Sequence, residues 1–555
     1  MANNKLNLSN TIIGILLVLI MTGCDDDFLD RYHKTSIAEE QFWQTTEQAK
    51  MGVNGIYRDL TRSNVYGQYF YNDLYTPFAI QHAGNKRNGL EMGFATTRTG
   101  DFRGKWAECY RGIQNSNRAL ARLPEMSIND DLKKRLIGEI KFLRALFYFN
   151  LWDFYGGVPI YDAPVNYNDA IFPRNTSDEV IAFMIKDLDN AITSLPASYT
   201  TSDRGRATSG AAKALKGKIY LYSKKWDLAA QTFKEIIDSK VYNLHPVYAE
   251  LFKYKTEQNS EVVFSIEAIS NADYTGEISA TEWMGNRSTY QSGFTWDDPS
   301  NILCDLYENK DGSNFNWDKV IPGFSSMTLA QKDANVFKKE DETRKAWNNR
   351  DSRMAVTFIL LWDKFVGKDN VNFTYKWPQS NSDATCLKIN NPGPCVNVWR
   401  KFVQEGNDQA IRFKSEINWP VIRYADVLLM YAEAKNEVSG IDATVFTAIN
   451  LVRARAAQPL LQNSDASLPT FVASTDAMRQ RIRRERAIEF AGEGIIYSDY
   501  RRWKIMIETC NHDVFDLRGS KLYTKIFEEK NYFWPIPQDE IEINPSLTQN
   551  PGWTN

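Results

Sequence analysis

Between residues 207 and 238 the chain reads ATSGAAKALKGKIYLYSKKWDLAAQTFKEIID, and this stretch constrains the fold more than any other. Its apolar positions, Ala211, Leu215, Tyr220 and Leu221, then Leu228, Ala229, Phe233, Ile236 and Ile237, recur about every 3.6 residues. Two amphipathic helices joined near Lys224 and Lys225 follow from that period. Small and large residues also sit at fixed offsets: Leu215-x-Gly217-x-x-Tyr220, then Ala229-x-x-x-Phe233. Gly217 and Ala229 let the two helices approach, and Tyr220 and Phe233 fill the gap.

That spacing is the packing code of a tetratricopeptide hairpin. One hairpin cannot bury its own apolar face, so the rest of the chain has to supply stacking neighbours. It does so on both sides. Thr45-x-x-Gln48 is a capping box ahead of the stripe Ala49, Val53, Ile56, Tyr57 and Leu60. After a loop-rich segment, residues 64–104, a second helix carries Trp106, Tyr110, Ile113, Asn117 and Leu120 and ends before Pro124. A third runs from about Asp130 to Tyr155, where Gly156 and Gly157 stop it. Thr176-x-x-Glu179 caps a fourth with the stripe Val180, Met184, Leu188, Ala191 and Leu195. From residue 245 to 420 the helical period fades into short β-like runs such as EVVFSI (261–266) among Gly, Asn, Asp and Pro, yet this third holds eight of the 15 tryptophans. Helical order returns at 421–438, 446–456 and 478–507. The predicted architecture is mainly α: a helical repeat scaffold over residues 45–245 and 421–555, with an irregular, loop-rich insertion containing short strands over 246–420.

Residues 1–23 read as an export signal. Lys5 supplies a short basic region, and Ile12 to Met21 is a 10-residue apolar run, too short for a bilayer that needs about 20. Met21-Thr22-Gly23-Cys24 resembles the bacterial lipobox, with Met where Leu is commoner, which makes Cys24 the lipidation site. Acyl chains there would hold the protein on a membrane, at about 0.8 kcal/mol per buried CH₂. Residues 24–44, opening with Asp25-Asp26-Asp27, form a polar tether. The remaining cysteines, Cys109, Cys304, Cys386, Cys395 and Cys510, are odd in number, so at least one thiol is free. Cys386 and Cys395 bracket a turn-rich loop and are the one pair expected to bond, if any does. Cys109 belongs to an apolar helical face. A net charge of -3 leaves no electrostatic footprint for nucleic acid.

Six blocks carry a resemblance: GEIKFLRALFYFNLWDFYGGVPI (138–160), GRATSGAAKALKGKIYLYSKKW (205–226), VIRYADVLLMYAEA (421–434), INLVRARA (449–456), RRERAIEFAGEG (483–494) and PIPQDEIEINPSLTQNPGW (535–553). In this order they resemble the SusD/RagB family of Bacteroidetes outer-membrane lipoproteins. Residues 494–500, GIIYSDY, depart from it where the family often has an Arg-Trp pair before the Asp. The acidic run after Cys24 is similar to the surface-export signal of such lipoproteins. The resemblance implies a tetratricopeptide-like scaffold and a non-catalytic role. It also implies a SusC-like TonB-dependent transporter as partner, a lipid-anchored place on the outer membrane facing outward, and a glycan as cargo, with oligopeptides as the alternative. No cofactor is expected.

The residues themselves suggest where a glycan would bind. A pyranose stacks its C–H face on an indole or phenol ring and needs polar groups at its edge. TEWMGNRSTYQSGFTWDD (281–298) mixes both kinds: Trp283, Tyr290 and Trp296 are the candidate platform, and Asn286, Arg287 and Gln291 the candidate rim. The family's ligand face also draws on the loop after the first helix, which implies Tyr69, Tyr71, Asn72, Asp73, His82 and Arg87. Trp347, Trp362 and Trp399 are assigned to the core. Enzymatic readings are weak. The four histidines, His33, His82, His245 and His512, form no metal-protease motif, and there is no G-x-S-x-G, P-loop or C-x-x-C. Asp297-Asp298 would be the glycosidase candidate, but sequence neighbours do not face each other across a substrate at about 5–10 Å. DGSNFNWD (311–318) lacks the EF-hand's glycine at position six and its late Glu, and in RIRRER (481–486) and beyond, Arg483, Arg484 and Glu489 lie on a helix with acidic partners and read as structural ion pairs, not a basic patch.

Overall fold

A computed structural model describes residues 42–81, 89–166, 169–268, 280–289, 293–380, 382–389, 394–408 and 416–554. The export signal, Cys24 and nearly all of the tether lie outside these residues. Helix α1, Thr46–Asp59, opens on the expected capping box, with Thr45 Oγ1 accepting from Gln48 N at 3.2 Å and Gln48 Oε1 accepting from Thr45 N at 2.9 Å. It packs on α2 (Gly100–Arg122) and α3 (Asp130–Tyr155). The stack continues through α4 (Ser177–Ser194), capped by Thr176 and Glu179, to α5 (Ser209–Tyr222) and α6 (Trp226–Ser239).

The α5–α6 hairpin packs as its sequence predicts. Phe233 and Ala229 are fully buried, and a Cβ placed on Gly217 would lie 2.6 Å from the Phe233 ring. Only a residue without a side chain lets the helices come this close. The same device recurs unannounced between α2 and α3, where a Cβ on Gly112 would sit 2.3 Å from the Phe147 ring.

The second half of the chain docks on this hairpin. Helix α7 (Tyr424–Ser439) packs on α6, on α8 (Ala443–Arg455) and on α9 (Thr475–Glu489). The helix expected over 478–507 is broken: α9 ends, and a seven-residue helix resumes at Ile496–Arg502. Gly492 and Gly494 between them have φ of 77° and 76°, left-handed backbone that glycine adopts at no steric penalty. A Cβ on Gly494 would lie 2.1 Å from Tyr69 O, so the break is where the chain passes against the segment after α1.

The strands are short antiparallel pairs. β1 (Ala79–Gln81) pairs with β3 (Asp297–Pro299), with Ile80 opposite Asp298. β2 (Val262–Ile266) pairs with β4 (Trp419–Arg423), with Ile266 opposite Trp419, so the irregular segment leaves and rejoins the helical stack through one ribbon. β5 (Asp513–Phe515) and β6 (Lys521–Thr524) form a hairpin near the C-terminus. The tail then returns to α3: Trp534 N donates to Phe154 O at 2.7 Å, and its ring packs on Phe102, Phe154 and Tyr75.

Charge, as well as apolar area, holds the junction together. Arg353, fully buried, pairs with Asp351 and Glu485 at 2.7 Å and with Glu489 at 3.0 Å. Arg423 reaches Glu261 at 2.5 Å, Glu493 at 2.7 Å and Glu489 at 3.1 Å, and Arg455 joins Glu261 and Glu489. A buried ion costs several kcal/mol unless it is paired and hydrogen-bonded, and here Glu261, Glu485 and Glu489 each serve two or more guanidiniums. In the RIRRER run, Arg481 and Arg484 converge on the buried Glu308 at 2.8 and 3.7 Å. Arg486 points inward to Asp426 and Asp499, both at 2.7 Å.

Cys386 and Cys395, the pair expected to bond, are both free and buried, as are Cys109, Cys304 and Cys510. Cys395 lies in core, with its own N–H on Asp516, so hydrophobic enclosure replaces the crosslink. Among the described residues, no helix is long and apolar enough to cross a membrane.

Candidate ligand-binding site

The stretch with the richest mixture of aromatic and polar residues folds back on itself. A short helix, Ala280–Met284, is followed by a turn in which Asn286 Oδ1 accepts from Ser288 N at 2.9 Å and Thr289 N at 3.2 Å. The chain then returns antiparallel: Phe294 N donates to Glu282 O, Thr295 N to Gly285 O and Trp296 N to Trp283 O, at 2.8, 2.9 and 3.0 Å. The return needs glycine at Gly293, where a Cβ would sit 2.2 Å from Asn286 O. Trp283 stacks on Phe294 with centroids 4.7 Å apart at 24° and packs tilted against Trp296 at 4.1 Å and 45°. All three rings are half-buried, so each keeps surface for a ligand while its neighbours fix its orientation. Arg287 is exposed at the turn, its N–H donating to Lys388 O at 2.7 Å.

The loop after α1 lies behind this shelf. Tyr71, 4% exposed, sets its ring 6.3 Å from Trp283. Strand β3, continuing from Trp296, pairs with β1, continuing from Tyr71 through Asp73. Sequence segments about 200 residues apart therefore meet, as the two candidate groups require. Their roles divide differently from the expectation. Asn286 is fully buried and closes its own turn, which places it in the shelf's support and not on the rim. Tyr71, Asn72 and Asp73 are also interior. Asp73 Oδ2 accepts from Gly492 N at 2.9 Å and Gly494 N at 3.3 Å, tying the loop to the glycine break after α9. Burial pushes its carboxyl up to about 7 against these two hydrogen bonds. Tyr69 packs against the same break. Tyr290, Gln291, His82 and Arg87 lie outside the described residues. Phe294 was not singled out from sequence, because a phenyl ring has no polar handle to distinguish it from core. Its only signal was its place between two tryptophans.

Other candidates resolve into structure. Asp297 and Asp298 are buried on β3; Asp297 accepts from Trp399 Nε1 at 3.2 Å, and burial together with Asp73 pushes its carboxyl well above the usual range. Successive strand residues point to opposite faces, so the two do not face one another. Trp399 and Trp347 are core, and Trp362 is half-buried with Nε1 on Phe337 O. In the 311–318 loop, Asp311 accepts from Ser313 N and Oγ, and Asp318 from Ser325. Among the described residues, no group of three or more His, Cys, Asp or Glu could hold a metal ion.

The helical stack, the ribbon that carries the irregular segment and the stapled tail have counterparts among known proteins. Residues 260–553 match the model of the SusD family. The chain belongs to this family. Residues 27–221 match a further model described as starch-binding associating with outer membrane. SusD-like protein P25 of Formosa agariphila is 26% identical over 583 residues, covering 99% of both chains. A crystal structure of a SusD-like protein from Bacteroides fragilis superposes with a TM-score of 0.77 at 25% identity, covering 93% of this chain and 99% of the other. Surface glycan-binding protein A from Bacteroides thetaiotaomicron, solved in complex with laminarihexaose, shares the fold at a TM-score of 0.67 and 19% identity, covering 91% of this chain and 100% of that one.

Proposed function

We propose that this protein captures oligosaccharide or polysaccharide at the cell surface, without catalysis, and passes it to a SusC-like TonB-dependent transporter. The observation that carries the reading is the half-buried triad of Trp283, Phe294 and Trp296, with exposed Arg287 on the turn between them. Rings fixed by mutual packing offer flat apolar area at little entropic penalty, and a guanidinium on the same turn supplies donors to sugar hydroxyls. The membership in the SusD family and the laminarihexaose-bound relative support a glycan as cargo. In this reading Cys24 carries the lipid that holds the protein to the outer membrane, residues 45–245 and 421–555 are scaffold, and 246–420 carry specificity. Tyr290, Gln291, His82 and Arg87 complete the ligand face. An open shelf of this kind binds modestly, at micromolar to millimolar Kd, about 4–8 kcal/mol.

The test is isothermal titration of the mature chain without lipid, residues 25–555, against plant, fungal and host glycans and against mixed oligopeptides. A parallel assay follows release of reducing ends. Saturable binding to one glycan with no release is expected. Binding to peptides alone, or hydrolysis abolished by a single carboxylate substitution, would overturn the proposal.

A further inference from the structure

A second cleft lies between the β5–β6 hairpin and the segment from Asn301 to Lys332, which follows the Trp283 shelf in the chain through β3. Its volume is about 260 Å³, and its walls include Asn301, Ile302, Trp317, Lys332, His512 and Phe515. That is just below the range of about 300–1,000 Å³ that holds drug-sized ligands, so it has room for a single ring and not for a chain. Ile302 and Phe515 are both 43% exposed, large apolar side chains left open to solvent at its edge. Trp317 is held by stacking on Phe324 at 4.3 Å and 15°, and it bonds the carboxylate of Asp305.

The charges around the cleft are mostly spoken for. Asp513 is tied to Lys521 and Thr524, each at 2.7 Å, and Asp516 to Arg518 at 2.7 Å. Asp305 faces Arg350, which opposes the burial that raises its carboxyl to about 6. His512 is pushed toward its neutral form by burial and by Lys525. Lys332 is different. It is half-buried, and among the described residues no carboxylate stands within ion-pairing distance of it, Asp318 feeling its charge only from farther away. Its Nζ rests 4.6 Å from the Phe324 centroid, and the site where a Cβ would stand on Gly519 is 3.5 Å away. A glycine in the β5–β6 turn thus leaves the ammonium uncovered on the cleft side. Asn301 is pinned by Nδ2 donating to Phe515 O at 3.0 Å, which leaves its Oδ1 to accept from a hydroxyl.

We infer that this cleft is a second ligand site, which takes one acidic pyranose unit, carboxylated or sulfated. Lys332 pairs with the anion, Phe515 and Ile302 cover the C–H face, and Asn301 accepts from a ring hydroxyl. The choice of a sugar rests on the proposed function; the cation without a close carboxylate and the one-ring volume do not.

The experiment is titration of residues 25–555 with glucuronic acid, glucose 6-sulfate and glucose, followed by calorimetry or by chemical-shift change of labelled protein. Millimolar binding of at least one acidic sugar is expected, at least tenfold tighter than glucose, weakening as salt rises. Lys332→Gln should abolish that preference, Phe515→Ala should weaken binding severalfold, and Trp283→Ala should leave it unchanged. Whichever acidic sugar binds identifies carboxylate or sulfate as the partner. Equal binding of glucose and both acidic sugars, or an acidic preference that survives Lys332→Gln, overturns the inference. So does acidic-sugar binding lost in Trp283→Ala but kept in Lys332→Gln, a result that would leave the proposed function standing.

Discussion

Replacing Glu489 by Gln removes one negative charge from a site where three guanidiniums converge while changing almost nothing in shape. Glu489 is fully buried and pairs with Arg353 at 3.0 Å, Arg423 at 3.1 Å and Arg455. Burial raises its carboxyl, but Arg455, Arg423 and Arg353 outweigh that and hold it well below the usual range. Breaking a buried pair by deleting one partner costs about 3–5 kcal/mol, because the remaining charge stays in low dielectric. Unfolding entropy of about 2.1 cal/mol/K per residue gives about 1.2 kcal/mol/K for a chain of this length, so the melting temperature should fall about 3–4 °C. The sign with pH follows from the depressed carboxyl. Its stabilisation is complete above the unfolded-state value of about 4.3 and is lost as pH falls toward the folded-state value, so the variant's deficit should shrink in acid. Calorimetric melts at pH 7 and pH 4 read both effects. Glu340→Gln, in the exposed pair with Arg344 at 2.8 Å, is the control and should change stability by less than about 0.5 kcal/mol. A Glu489→Gln melt within 1 °C of the parent protein at pH 7 would show that the three arginines do not depend on this charge.

Three further outcomes follow from the packing. An exposed helical Gly→Ala usually stabilises by about 0.5–1 kcal/mol, but at Gly217 the added Cβ meets the Phe233 ring at 2.6 Å. Gly217→Ala should therefore destabilise by about 1–3 kcal/mol in urea titration, and Phe233→Leu should recover part of the loss in combination. Asp73 is raised from 3.8 to about 7 chiefly by burial, so its neutral form favours folding and that contribution is lost as pH rises through this interval. Asp73→Asn should match the parent protein near pH 4 and exceed it by about 2–4 kcal/mol at pH 8, measured by denaturant melts across pH. The five described thiols are buried and free, so a thiol reagent should react with them only as the protein unfolds, and a reductant should not shift the melt.

What could be read from the chain in advance was local. The capping boxes at Thr45 and Thr176, the Gly217–Phe233 contact and the stop at Gly156 each depend on residues within about 20 positions, and periodicity reports such relations directly. The fading of the helical period after residue 245 located the irregular segment for the same reason. Roles set by distant partners were not legible. Asp73 is claimed by two N–H groups 419 and 421 positions away, so the family resemblance implied a binding residue while its partners make it a strut. Structural ion pairs were expected of this helix, but not which ones, because the arginines that meet Glu489 and the aspartates that meet Arg486 come from other segments. At the site, the tryptophans were visible as an excess of exposed-loop aromatics. Phe294 and the burial of Asn286 depended on a return turn that no period announces.

The most direct test of the central claim is the affinity of the Trp296→Ala chain for the glycan that the parent protein binds, with circular dichroism and melting as a check on folding. Loss of one ring from the Trp283–Phe294–Trp296 shelf is predicted to weaken binding at least tenfold, about 1.4 kcal/mol, in a protein that melts within a few degrees of the parent. Unchanged affinity in a folded variant would contradict the account and place the glycan elsewhere on the surface.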